Sequence, residues 1–288
     1  MQQTDFEKLL ADTLAAHGRS PRTQETYTLM LRLFGRYLDK TYGGRTLDIV
    51  LPEDVETYQR YLVTERKVGF SSFNQATCAL RFFYQTCLGK TDWTIARMPY
   101  QRKRRTLPEI LSPEDLVAMF EACNNLKHKT LLMTSYSGGL RLGETLGLLP
   151  SDIDGKRMMI RVEQGKGHKD RYTVLSTPAL GLLEELWRAY RPAEYFFTGQ
   201  DGIHPICDAT AQSAYYAALR RSGVRRVGGI HVLRHCFATH LMEDGVDIYT
   251  IRRWMGHTSL VTTGRYMHVT REHLAKIKSP LDSLYEEV

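Results

Sequence analysis

Cysteine is scarce in this chain, and the few cysteines are scattered. Among 288 residues there are five, and no two of them form a Cys-x-x-Cys pair. This spacing argues against a thiolate zinc motif and against a disulfide framework, both of which need closely and regularly spaced cysteines. We expect most of them to be small buried hydrophobic side chains. They are Cys78, Cys87, Cys123, Cys207 and Cys236.

Long apolar runs are missing as well. No stretch approaches the roughly 20 apolar residues that a membrane-spanning helix needs. The first ten residues, MQQTDFEKLL, lack the basic-then-apolar layout of a signal peptide. The sequence therefore predicts a cytoplasmic protein without a membrane partner.

Acidic residues are outnumbered by basic ones, and the formal net charge is +7. Residues 1–106 hold 17 Lys and Arg against 11 Asp and Glu, whereas the remainder holds 22 against 21. The excess is densest in RKRR, Arg102 to Arg105. Such an excess favours a polyanionic partner such as nucleic acid, although a solvated surface explains the charge alone equally well.

The spacing of apolar residues predicts two domains. Up to about residue 90 these residues recur at helical intervals, which predicts a small bundle. Residues 97–110, RMPYQRKRRTLPEI, combine two prolines with a charge run and predict a linker. Beyond it, MMIRVE and RYTVLS predict a β-hairpin among further helices. We therefore expect a mainly α fold with a small antiparallel β-sheet, divided into residues 1–96, a linker over 97–110 and residues 111–288.

The segment HVLRHCFATH concentrates titratable side chains in a helical pattern. His231 and His235 are four residues apart and could face one metal ion, but no Glu lies between them and Arg234 disfavours a dication. Ordinary polar helix positions are the plainer alternative. Alternatively, His231 and Arg234 share a helix face and form a donor pair suited to phosphate oxygens.

Four further positions extend the anion hypothesis. Arg141 follows the turn glycines of SGGLRLGE, and Lys166 lies between glycines in GKGHKDR. His257 follows a helix-ending glycine, and Tyr266 comes nine residues later. Each of these signals is weak alone, because lone arginines, lysines and tyrosines are common on surfaces and in cores. Their order along the chain carries more information.

That ordered set resembles the tyrosine recombinases, also called the phage integrase family. SGGLRLGETLGL resembles the first arginine box, GKGHKDR the lysine hairpin, and residues 231–269 almost the whole second box. SPRTQETYTLMLRLFGRYL resembles, more loosely, the helical core-binding domain. The nearest resemblance is to bacterial Xer-like and integron- or transposon-associated integrases. It implies a DNA-binding domain over residues 1–96 and a catalytic α/β domain over residues 111–288.

The resemblance also implies the chemistry. Tyr266 would attack a scissile DNA phosphate, forming a 3′-phosphotyrosine and freeing a 5′-hydroxyl, while Arg141 and Arg234 hold the non-bridging oxygens. Preorganised cations stabilise the charge that develops on a phosphoryl group, so we expect neither metal, cofactor nor ATP. Neighbouring cations also favour the phenolate form of a tyrosine whose ordinary pKa is near 10.

The remaining implied roles belong to a lysine and two histidines. Lys166 would protonate the leaving 5′-oxygen, His257 would add a phosphate contact, and His231 would act as base or hydrogen-bond partner of the nucleophile. Flanking basic residues are expected to touch the DNA backbone. These are Arg102, Lys103, Arg104, Arg105, Arg252, Arg253 and Arg265.

The expected function is therefore site-specific recombination of double-stranded DNA through a Holliday junction. Family analogy implies four copies of the chain on DNA, compatible with a monomer in solution, and accessory directionality factors. Three other functions stay open: a type IB topoisomerase-like enzyme, a DNA-binding accessory protein with an inactive site, and a zinc enzyme. The target sequence, and the choice between integration, excision, dimer resolution and transposition, also stay open.

Overall fold

The structure, a computed structural model, describes residues 3–91, 98–101, 109–165 and 169–257. The chain separates into two compact units, residues 1–105 and 106–288. Several predicted functional residues lie outside the described residues. They are Lys166, Tyr266, Arg265 and the basic run Arg102, Lys103, Arg104 and Arg105.

The first unit is helical. Ser20 caps its second helix by accepting a hydrogen bond from the amide of Thr23, and Pro21 occupies the first turn. After the fourth helix the chain continues in π-helical turns over Phe82–Cys87. The helices are α1 (Gln3–Ala16), α2 (Pro21–Tyr42), α3 (Pro52–Thr64) and α4 (Phe70–Arg81).

A single apolar core holds these helices together. Leu31, Phe34 and Leu38 form the buried stripe of α2, at the helical spacing read from the sequence. Phe6 of α1 packs edge-on against Phe83, with ring centroids 5.8 Å apart. The helical bundle predicted for this part of the chain is therefore present.

The second unit contains seven described helices and a small sheet. Ser112 caps the first of them by accepting from the amide of Asp115 at 3.1 Å. The second lies centrally and contacts five of the other helices. The helices are α5 (Pro113–Glu121), α6 (Leu126–Ser137), α7 (Leu142–Leu146), α8 (Thr177–Tyr190), α9 (Asp208–Ser222), α10 (Val232–Glu243) and α11 (Ile248–Met255).

The sheet is antiparallel, with strand order β1 (Ile153–Asp154), β2 (Met159–Gly165) and β3 (Lys169–Val174). Arg161 pairs with Tyr172 and Val162 with Arg171, and the register shifts between Val162 and Gly165. One face of β3 contacts α11. Strands β2 and β3 therefore form the hairpin that the sequence predicts.

The mainly α fold with a small antiparallel sheet is confirmed. Two elements have no counterpart in the sequence interpretation, namely α6 and the two-residue strand β1. The exact domain bounds, including the linker over 97–110, stay a prediction, because much of that linker lies outside the described residues. Within the described ranges, no helix is both long and apolar enough to cross a membrane.

Candidate active site

Arg141 lies just before α7, immediately after a tight glycine turn. Gly139 adopts a left-handed backbone with φ +58°, and the Phe237 ring packs where a β-carbon would project. The carboxylate of Glu144 accepts hydrogen bonds from the Arg141 amide at 2.8 Å and from its Nη1 at 2.7 Å. The Arg141 side chain stays 27% exposed beside an open groove of about 410 Å³. It is therefore anchored at one edge and accessible at the other.

Arg234 lies on α10 and is almost fully buried. Its Nη1 donates to the carbonyl of Gly139 at 2.5 Å, and its Nη2 donates to the carbonyl of Met255. Glu144 lies 3.9 Å from Nη1. A buried charge is costly unless it is paired and hydrogen-bonded, so these acceptors fix the guanidinium in one place.

His231 and His235 lie at the start of α10, beside the arginines. Burial, followed by the charges of Arg234 and Arg141, lowers the pKa of His231 below its ordinary value. The two imidazoles meet edge to face, with ring centroids 5.0 Å apart. His231 is therefore a neutral imidazole near neutral pH and is able to accept a proton.

His257 follows the end of α11. Gly256 closes that helix in the left-handed conformation, with φ +60°, as the sequence predicts. Burial, then the charges of Arg234, Arg141 and Arg171, with a smaller contribution from His235, lower the pKa of His257 to about 4. The shift places His257 in the field of the same cations that surround His231.

Glu144 joins two arginines from different elements. Arg171 of β3 donates from Nη1 and Nη2 to the two carboxylate oxygens at 2.9 and 2.6 Å. Burial alone would raise the pKa of Glu144, but hydrogen bonds and charge from Arg171, and then from Arg141, lower it to about 2. Glu144 is therefore ionised throughout the physiological range and balances part of the positive charge.

The structure brings together four of the six predicted catalytic residues, namely Arg141, His231, Arg234 and His257. The other two, Lys166 and Tyr266, lie outside the described residues. Among the predicted backbone contacts, Arg252 donates from Nε to the carbonyl of His257 at 3.0 Å, and Arg253 is exposed on α11. The catalytic and DNA-binding roles of all these residues stay predictions.

The metal alternative has no matching ligand group in the described part of the chain. No set of three or more His, Cys, Asp or Glu side chains there is arranged to hold a metal ion. His231 and His235 instead pack ring against ring beside two guanidinium groups. Their surroundings suit an anion better than a cation.

Sequence reasoning missed Arg171 and, as a member of the anion site, His235. Arg171 lies on the same face of β3 as the buried Thr173, whereas Tyr172 between them is exposed. A charged residue at an inward-facing strand position needs a partner, and this alternation is the signal that could have identified Arg171.

The arrangement is suited to binding a phosphodiester. Three guanidinium groups surround one carboxylate, which leaves an excess of positive charge. The imidazoles of His231 and His257, whose pKa values these charges lower, lie beside them. Arginine matches phosphate oxygens with paired N–H donors, and fixed donors stabilise charge that develops during a reaction. The site is therefore built for an anion whose charge is spread over several oxygens.

Comparison with known proteins identifies the family. Residues 109–273 match the phage integrase family, and residues 6–94 match the phage integrase N-terminal SAM-like domain. The chain belongs to the phage integrase family. The enzyme class predicted from the sequence, a site-specific tyrosine recombinase that breaks and rejoins DNA, is thereby confirmed.

Relatives of this integrase-family chain match over nearly its whole length. A putative integrase/recombinase y4qK of Sinorhizobium fredii is 38% identical over 98% of this chain and 90% of its own length. The tyrosine recombinase XerA of Thermococcus kodakarensis is 33% identical over 91% of this chain and 90% of its own. The predicted Xer-like and integrase resemblance is confirmed.

Solved structures at lower identity share the fold. XerH recombinase bound to a palindromic difH substrate, in a post-cleavage complex, has a TM-score of 0.71 at 21% identity, covering 99% of this chain and 85% of that one. The Tn1549 transposon integrase in complex with transposon right-end DNA has a TM-score of 0.68 at 16% identity and covers 98% of both chains. At these identities the likeness concerns the fold alone.

Proposed function

We propose that this integrase-family enzyme binds duplex DNA with the scissile phosphate against Arg141, Arg234 and His257. The observation that carries the proposal is the convergence of Arg141, from the turn before α7, and Arg234, from α10, on consecutive carbonyls at the end of α11. Guanidinium groups held within one small region offer donors to both non-bridging oxygens of a single phosphate.

The phenol oxygen of Tyr266 attacks the phosphorus, and the bond from phosphorus to the 5′-oxygen breaks. The phenol proton passes to His231, whose lowered pKa keeps it neutral and receptive. Lys166 delivers a proton to the departing 5′-oxygen, so the strand ends as a free 5′-hydroxyl. The 3′-phosphotyrosine keeps the energy of the phosphodiester, and attack by a 5′-hydroxyl reverses the sequence without ATP or metal.

The proposed function also concerns the DNA partner and the number of protein copies bound to it. The XerH structure is described as bound to difH substrate, and the lambda integrase structure as a dimer bound to a COC′ core site. For this chain they support double-stranded DNA as the substrate and several copies on one site. We propose a tetramer that exchanges strands through a Holliday junction in the cytoplasm, at the nucleoid, with accessory factors setting direction.

Covalent trapping tests the nucleophile. The full chain is incubated with nicked duplex fragments of the genome that encodes it, denatured, and digested, and the DNA-linked peptide is identified by mass spectrometry. We expect the adduct on Tyr266 and its loss in Tyr266→Phe. Tyr249→Phe is the matched control, since Tyr249 lies 66% exposed on α11. An adduct that survives Tyr266→Phe, or disappears in Tyr249→Phe, contradicts the assignment.

A plasmid assay then distinguishes recombination from simple relaxation of supercoils. When two plasmids carry the trapped duplex sequence, the wild-type chain should exchange strands between them and yield recombinant products. Relaxation of supercoils without exchange would instead support the topoisomerase-like alternative. DNA binding without any adduct would support an accessory protein.

A further inference from the structure

Three arginines hold three consecutive carbonyl groups at the end of α11. Arg171 Nε donates to Trp254 at 2.8 Å, Arg234 Nη2 donates to Met255, and Arg141 Nη2 donates to Gly256 at 3.1 Å. The last carbonyls of a helix lack partners within the helix and carry partial negative charge. The end of α11 is therefore clamped by guanidinium groups from β3, from α10 and from the turn before α7.

Arg171 differs from the other two arginines in its partners, because both of its Nη atoms bond a carboxylate. Both Nη atoms of the likewise buried Arg234 donate to backbone carbonyls, and only one Nη atom of Arg141 bonds the carboxylate. Its side chain is 8% exposed, whereas that of Arg141 is 27% exposed. Both Nη atoms bond the carboxylate of Glu144, and Nε bonds the end of α11. Arg171 is therefore arranged to hold other parts of the site and not to contact DNA.

The same carboxylate connects Arg171 to Arg141. Each oxygen of Glu144 accepts one hydrogen bond from Arg171 and one from Arg141. The Nη atoms of Arg171 thus hold the carboxylate that orients Arg141. Its Nε holds the end of α11, which directly precedes His257. Arg171 also lies five residues after Lys166, on the strand that follows the hairpin tip.

We propose that Arg171 is a positioning residue for strand cleavage. It fixes Arg141 through Glu144 and His257 through the end of α11, so that both meet one phosphate. The inference rests on the proposed function and deepens it, because the residue acts on the same site without touching the substrate. Lysine cannot replace it, since a single ammonium lacks the planar fork that reaches two oxygens and a carbonyl together.

Cleavage kinetics test the proposal in the full chain. Arg171→Gln and Arg171→Lys are compared with wild type in single-turnover cleavage of the trapped duplex, together with the affinity for that duplex. Because a misplacement of about 1 Å costs about 100-fold in rate, we expect cleavage roughly 100-fold slower in both variants. We expect the affinity to stay within experimental error, since the donors of Arg171 bond Glu144 and the end of α11.

Arg45→Gln is the control for loss of an arginine–carboxylate ion pair away from the site. In the first unit, Arg45 bonds Asp54 at 2.6 Å with a side chain 33% exposed. We expect its cleavage rate to equal that of wild type. An equal slowing in Arg45→Gln, or a wild-type rate in Arg171→Lys, would overturn the proposal, since either result assigns the effect to general stability or to charge alone.

Hydrogen exchange of the free protein gives a readout that needs no substrate. Arg171→Gln should speed amide exchange in residues 248–257, relative to the rest of the second unit, and Arg45→Gln should not. Arg171→Lys is measured likewise, in case the glutamine variant unfolds. Unchanged exchange in residues 248–257 overturns the proposal even if cleavage falls. If wild type forms no adduct, the proposed function fails, while this measurement still decides whether Arg171 holds the helix end.

Discussion

His257 is kept neutral by the residues around it. Burial, then Arg234 and Arg141, and then Arg171 and His235, lower its pKa to about 4 from an ordinary value of 6.5. A phosphate placed among these groups offsets part of their positive charge, and a nearby negative charge favours the protonated imidazole. DNA binding should therefore be coupled to proton uptake by His257.

We expect this coupling to give a measurable pH dependence. The pKa of free His257 is about 4 and rises on binding, so the complex takes up protons above that pH and affinity increases as pH falls from neutrality towards 5. Calorimetry at pH 5.5 in buffers of different ionisation enthalpy reports the uptake. His257→Gln should reduce it, whereas His204→Gln should not, since His204 is exposed and paired with Asp201. Equal binding enthalpies in all buffers for the wild type would refute the coupling.

The sequence predicts which residues belong to the site better than it predicts the contacts that those residues make. Arg141, Arg234 and His257 follow from motif order, and the structure places them together. Arg171 could not be inferred in the same way, because its partners come from Glu144 and from the end of α11, which meet β3 only after folding. The same holds for the approach of Glu144 to Arg234 at 3.9 Å.

The turn before α7 and the helix α10 are fitted to each other. Gly139 offers its carbonyl to Arg234, and the Phe237 ring fills the space into which a β-carbon would project. A β-carbon there would lie 2.2 Å from a ring atom, and the backbone is left-handed. Only glycine meets both demands, so this contact links the backbone of one element to two side chains of the other.

We expect Gly139→Ala to damage both stability and the site. Overpacking against Phe237 should lower the free energy of unfolding by about 1–3 kcal/mol, and the strained backbone adds to that. Urea denaturation measures the loss. Gly143→Ala is the matched control, since a β-carbon there meets no atom within 4 Å, and it should change stability by at most about 1 kcal/mol. Equal destabilisation by both substitutions would argue against the Phe237 contact as the cause.

Elements with clear caps and apolar periods were predicted, and elements without them were not. Ser20, Ser112 and Gly256 mark helix ends in the sequence and in the structure. Helix α6, LKHKTLLMTSYS, lacks a one-sided apolar stripe because it lies centrally and packs against several helices. Strand β1 has two residues, too few for any alternating pattern to be visible.

Over the whole molecule, positive charge is unevenly distributed. The basic excess falls in residues 1–106 and is densest at Arg102–Arg105, whereas the rest of the chain is nearly balanced. In the second unit, many of the basic side chains already pair with acids, as Arg161 does with Asp152 and Glu163. We therefore expect much of the salt-sensitive part of DNA binding to come from the first third of the chain.

Replacing Arg102, Lys103, Arg104 and Arg105 by glutamine tests this expectation. Each phosphate contact contributes about 0.9 to the slope of log affinity against log salt, so loss of all four should reduce the slope by about 3 to 4. Fluorescence anisotropy with the trapped duplex over a range of salt concentrations measures this slope.

The control variant carries glutamine at four exposed, scattered basic positions. It loses the same charge but no cluster, so its slope should stay near that of wild type. If the slope fell equally in the two variants, net charge would explain the effect, and the Arg102–Arg105 cluster would not contact DNA. The control positions are Lys156, Arg188, Arg220 and Arg225, all in the second unit.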